Sequence, residues 1–93
     1  MTPFDQIATK IVKEQELIIG PIAWQEALKV QGLHMTPTHE QVSIDNGNGD
    51  QVIDRLVERY EHLFGLASRE VCRDAARSLI TGLAPTQIPT SLR

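Results

Sequence analysis

Two amphipathic patterns of helical period follow one another across a single glycine between Asp50 and Ile80, and no other feature constrains the fold of this chain as much. Val52, Ile53, Leu56, Val57, Tyr60, Leu63 and Phe64 share one face of the first pattern. Val71, Cys72, Ala75, Ala76, Leu79 and Ile80 share one face of the second. Each stripe must be covered by other apolar surface, and two stripes joined by one turn residue can cover part of each other. The segment is therefore expected to be a helical hairpin that turns at Gly65, with Asp50 capping its first helix and Ser68 its second. A chain of 93 residues has room for one core.

The amino-terminal third carries a second helical signal. Thr2-Pro3-Phe4-Asp5 reads as a helix start: Thr2 is placed as N-cap, Pro3 at the first helical position, and Asp5 near the positive end of the dipole. Phe4, Ile7, Ala8, Ile11 and Val12 form the apolar stripe, the polar run 13–16 interrupts it, and Leu17, Ile18 and Ile19 resume it. At Gly20-Pro21 a backbone donor is lost and the preceding turn is crowded, which favours a break or sharp kink. A second piece runs over residues 21–30, with Gly32 as its C-cap.

Residues 33–49 are ambiguous by pattern. His34-Met35-Thr36-Pro37 is turn-like, while residues 41–45 alternate polar and apolar side chains as a half-buried strand does. Asn46-Gly47-Asn48-Gly49 has the composition of a tight turn. Residues 83–93 have two prolines, two threonines and no periodicity, so an extended or flexible tail is expected. The fold class is mainly α: three to four helices in one domain over residues 1–82, a carboxy-terminal hairpin, and one short strand or arm. An arm at Val42 and Ile44 pairing with its symmetry mate would bury both side chains in a homodimer.

Composition narrows the chemistry. The formal charge of −3 opposes general binding to a phosphate backbone, which needs several unopposed basic side chains. One cysteine allows no intramolecular disulfide and fits a reducing, cytoplasmic setting. The longest uncharged apolar run, residues 17–24, is far short of a bilayer span, so no membrane insertion is expected. Asp45, Asn46, Asn48 and Asp50 are rich in oxygen ligands, but an EF-hand beginning at Asp45 would place Asp50 where glycine is needed and Leu56 where the bidentate glutamate belongs. His34, His39, His62 and Cys72 lie at no zinc spacing, and Cys72 falls within an apolar stripe as a packing residue. No catalytic, cofactor-binding or metal-binding residue is assigned, and no enzyme activity is expected. A pocket uniting His34, His62 and Glu58 would be required for one.

Two surfaces remain for a partner. Arg69, Arg73 and Arg77 recur every four residues and make one ridge, which can pair with carboxylates or phosphates. Glu70 and Asp74 lie beside it, so the same ridge can equally be a solvated face of local ion pairs. The uncharged run LIIGPIAW holds Ile18, Ile19 and Trp24 as candidate contact residues, Trp24 being a natural interface anchor. Within it, Ile19-Gly20-Pro21-Ile22-Ala23 resembles the Ile-Gly-Pro-Ile/Val-Ala segment of small helical domains attached to bacterial signalling proteins, some of them kinases. That resemblance implies a regulatory or scaffolding role and transfers no functional residue. The sequence is thus read as a noncatalytic interaction module that binds a protein or itself as a homodimer. The alternative is a small DNA-binding regulator with residues 68–81 as a recognition helix.

Overall fold

The computed structural model describes residues 3–38, 40–45 and 49–92. The Thr2 cap, His39 and the turn at Asn46, Gly47 and Asn48 lie outside these residues. Four helices and a two-stranded sheet follow in the order α1 (Pro3–Ile19), α2 (Ile22–Leu28), β1 (Leu33–Met35), β2 (Val42–Ile44), α3 (Gly49–Phe64) and α4 (Leu66–Ile80). Two 3-10 turns, Pro85–Gln87 and Thr90–Leu92, complete the described chain. The mainly α class and the α3–α4 hairpin stand as the periodicity predicts.

Proline and glycine set the main boundaries. Pro3 opens α1, with Asp5 in the first turn. Gly20, at φ 79°, reverses the chain while its N–H donates to the Glu16 carbonyl (2.9 Å), and Pro21 then opens α2. The segment is therefore a break between two helices. Gly65, at φ 92°, ends α3 by donating to the Glu61 carbonyl (2.8 Å) and is at once the residue preceding α4. Ser68 is accordingly inside the first turn of α4 and does not cap it. Asp50 likewise lies within the first turn of α3, because that helix already begins at Gly49. The second helix is shorter than expected, ending at Leu28 with Lys29 following, and Gly32 leads into β1.

The ambiguous middle resolves into a hairpin within the chain. Leu33 pairs with Ile44, His34 with Ser43, and Met35 with Val42. Leu33 and Val42 are buried, Met35 and Ile44 are half-buried on the same face, and His34 and Ser43 point to solvent. The outward N–H groups of β2 are covered by α1: Val42 donates to the Thr9 hydroxyl (2.9 Å) and Ile44 to the Asp5 carboxylate (2.8 Å). An edge whose donors are taken cannot add a strand from another molecule. The symmetry-mate arm is therefore overturned: β2 pairs with β1 and α1 within the chain, which buries Val42 and leaves Ile44 half-buried against the core.

The core lies where α1, α2, α3 and α4 meet over the sheet, and Ile7, Ile11, Trp24, Ile53, Leu56 and Tyr60 are its largest side chains. Residues 83–92 are a second correction. Instead of an extended tail they form a strap across α3 and α4: Pro89 and Leu92 are buried, and Ser91 donates to Asp54 through its backbone N–H (2.9 Å) and its hydroxyl. Prolines favour 3-10 turns and extended links rather than α-helix, so the segment lacks periodicity yet still packs.

Gln15 is the polar residue that the pattern placed outside and the fold places inside. It is fully buried on α1, and its Nε2 donates to the Ser68 carbonyl (2.8 Å) and to the Cys72 sulfur (3.3 Å), joining α1 to α4. Its Oε1 has no hydrogen-bond partner among the described residues. A buried acceptor left unpaired costs about 1 to 3 kcal/mol, and the Ser68 carbonyl is already engaged by helix α4. Gln15→Met, which keeps the volume and removes the orphan oxygen, should raise stability by about 1 kcal/mol. A urea midpoint that moves upward at unchanged slope is the expected result.

Candidate functional site

The four helices bring one end of the bundle together. Gln15 near the end of α1 meets Ser68 near the start of α4, so these helices run antiparallel. The Tyr60 hydroxyl in the later half of α3 donates to the Ala23 carbonyl of α2 (2.6 Å). The end of α1, the start of α2, the end of α3 and the start of α4 therefore gather around the Gly20 and Gly65 turns. Leu17, Ile18, Ile22, Leu63, Phe64 and Leu66 are all exposed there, Leu17 at 79%, Leu66 at 68% and Ile18 at 62%. Large apolar side chains grouped at one place on a small domain mark an interaction surface more often than singly scattered ones do.

The LIIGPIAW run is thus divided. Leu17 and Ile18 face solvent, Ile19 packs partly against the core, and Ile22 is partly exposed. Trp24, only 1% exposed, is a core residue and presents no surface to a partner, which corrects its reading as an interface anchor. Burial outcompetes docking because a side chain this large is the best available filler for a core with so few aromatics. Leu63, Phe64 and Leu66 were not anticipated at the surface. Leu66 had a signal: it precedes Arg69, Arg73 and Arg77 by three, seven and eleven residues and so shares their outer face.

The arginine ridge forms ion pairs within its own chain. Arg69 meets Glu61 of α3 (3.3 Å), Arg73 meets Glu70 (3.3 Å) and Arg77 meets Asp74 (2.6 Å). Pairs this exposed contribute at most about 1 kcal/mol each, and a phosphate would have to displace the carboxylates already there. On the neighbouring helix the charged groups reach other elements instead: Asp54 is taken by Ser91 and Arg59 by Glu26.

That last pair links α2 to α3. Arg59 donates to Glu26 Oε2 through Nε (2.9 Å) and Nη2 (2.7 Å), and Lys29 donates to Oε1 (3.3 Å). The Arg59 guanidinium holds the Glu26 carboxyl below the usual carboxylate range against the opposing effect of desolvation. A carboxyl lowered in the folded state adds stability above its unfolded value of about 4.3 and loses it as pH falls through the folded one. Thermal melts from neutral pH into acid should therefore show Glu26→Gln less stable than the native chain near pH 7, with the gap closing in acid.

Cys72 and Tyr60 are packing residues. Burial pushes the Cys72 thiol up to about 11, with the Gln15 amide acting in the opposite direction, so no thiolate forms near neutrality. Burial also raises the Tyr60 phenol. His34 contacts Asp45 on the outer face of the sheet (2.7 Å), whereas Glu58 and His62 border a shallow groove of about 640 Å³ beside Arg55 and Arg59 on α3. The structure does not bring the three together in one pocket. No three metal-ligating side chains cluster among the described residues, and no described helix is long and apolar enough to cross a membrane. Scans of protein-family models and searches of curated proteins and solved structures find no match to the chain.

Proposed function

We propose that this chain is a noncatalytic protein-interaction module, with a regulatory role of the kind the Gly20-Pro21 segment suggests, and that the exposed apolar end is its docking surface. The observation that carries the proposal is the grouping of Leu17, Ile18, Ile22, Leu63, Phe64 and Leu66 around two glycine turns, in a domain whose other apolar side chains are mostly buried. Keeping such side chains in water has no folding benefit, and burying each against a partner yields roughly 1.5 to 3 kcal/mol. The ion-paired ridge of Arg69, Arg73 and Arg77 plays a secondary part: its mixed charge maintains solubility beside the apolar end.

Two measurements test this function together. The fluorescent apolar probe bis-ANS should bind the native chain, and Leu17→Glu with Leu66→Glu should lower that signal several-fold while far-UV circular dichroism stays unchanged. Titration with duplex DNA at low salt should show no binding. Micromolar DNA affinity that falls steeply with salt and vanishes on Arg69→Ala with Arg73→Ala would replace the proposal with a DNA-binding regulator.

A further inference from the structure

Resting on that proposal, we infer that the occupant of the apolar end is a second copy of this chain, docked across a two-fold axis that faces the Gly20 and Gly65 turns of one protomer toward those of its partner. Area is the first reason. Six side chains exposing on the order of 100 Å² each amount to about 600 Å² per copy, the upper end of what a monomer's largest apolar patch covers. A standard interface takes about 800 Å² from each partner, so an apolar centre of this size with a modest polar rim is enough for a dimer at the small end of the range.

Charge is the second reason. An isologous interface places each surface against itself, so a rim of one sign would repel its own copy. Here the rim is balanced. Lys13 and Glu16 flank Leu17 with opposite signs, and Arg69 and Glu61, beside Leu66 and Phe64, already neutralise one another. Under a two-fold operator the lysine of one protomer can meet the glutamate of the other. The net charge of −3 is low enough that two copies approach without strong long-range repulsion.

The third reason is what the chain has closed off. The edge of β2 is taken by Thr9 and Asp5, and the α3–α4 surface is crossed by the strap that ends in Leu92. Self-association through the β2 edge is therefore excluded, and the helix ends around Gly20 and Gly65 carry six of the seven large apolar side chains exposed among the described residues. A dimer with an interface this small should dissociate in the micromolar range.

Sedimentation equilibrium of the full chain from roughly 1 to 200 µM should show the mass rising toward twice the monomer value. Leu17→Glu with Leu66→Glu should remain monomeric throughout, while Arg73→Ala with Arg77→Ala should dimerise as the native chain does. If the double glutamate variant loses its helical signal, Ile18→Arg serves instead, because Ile18 is exposed and its replacement leaves the core intact. A native chain that stays monomeric at the highest concentration, or a dimer that survives the helix-end substitutions, overturns the inference. The wider proposal is judged separately: a monomer whose bis-ANS signal still depends on Leu17 and Leu66 retains the docking surface for a different protein, and one with no such signal loses both.

Discussion

Trp24→Ala will lower folding stability by about 3 to 5 kcal/mol, the range for removing a buried aromatic side chain from a core that cannot fully collapse around the void. The indole is almost completely buried and belongs to the same cluster as Ile11, Leu56 and Tyr60, so its loss opens the region where α2 meets α1 and α3. Domains of this size hold about 5 to 15 kcal/mol in total, and each kcal/mol moves the melting point by roughly 4 to 8 °C. A thermal melt followed by far-UV circular dichroism should therefore fall by more than about 12 °C, with a measurable unfolded fraction at room temperature. The measurement also separates packing from docking. A variant that melted within a few degrees of the native chain but lost self-association would make Trp24 a surface anchor after all.

Leu92→Ala should cost about 2 to 4 kcal/mol, even though it lies in a stretch with no recognisable periodicity. Leu92 is buried where the second 3-10 turn contacts both α3 and α4, and the adjacent Ser91 is fixed by Asp54. The substitution should lower the urea midpoint and speed amide exchange along residues 84–92. A frayed tail would leave both unchanged, so either result decides the role of the strap. Asp54→Ala should reproduce the exchange effect with a smaller loss of stability, because it removes the polar tether and leaves the apolar contact in place.

What could be read from the residues follows from how far each signal reaches. The hairpin of α3 and α4 was legible because Val52 to Tyr60 and Cys72 to Ala76 repeat with helical period and are separated by one glycine, all of it local information. The break at Gly20-Pro21 was legible for the same reason. The strand at 41–45 showed its alternation, but its partner did not. Leu33 to Met35 is too short to carry a period, and it becomes a strand only because β2 lies beside it. Gln15 and Glu26 escaped notice because a polar side chain enters a core only when another element supplies a partner, here Ser68 and Arg59, which are distant in sequence. The candidate surface was half visible. Ile18 and Leu17 stood out in an uncharged run, whereas the exposure of Leu63 and Phe64 depends on where the neighbouring helices stop.

The pairing of the first long helix with the last has a consequence for how the protein is made. The most extensive packing of α1 is against α4, an element that a ribosome completes about sixty residues later. At roughly 5 to 20 residues per second, Ile7, Ala8, Ile11 and Val12 wait several seconds for the surface that will cover them. Early segments can form helix during that interval but cannot close a core. The apolar face of α1 is therefore most open to proteases and to nonspecific association just before α4 emerges, and closure of the core is a late event that waits for α4 and the strap after it.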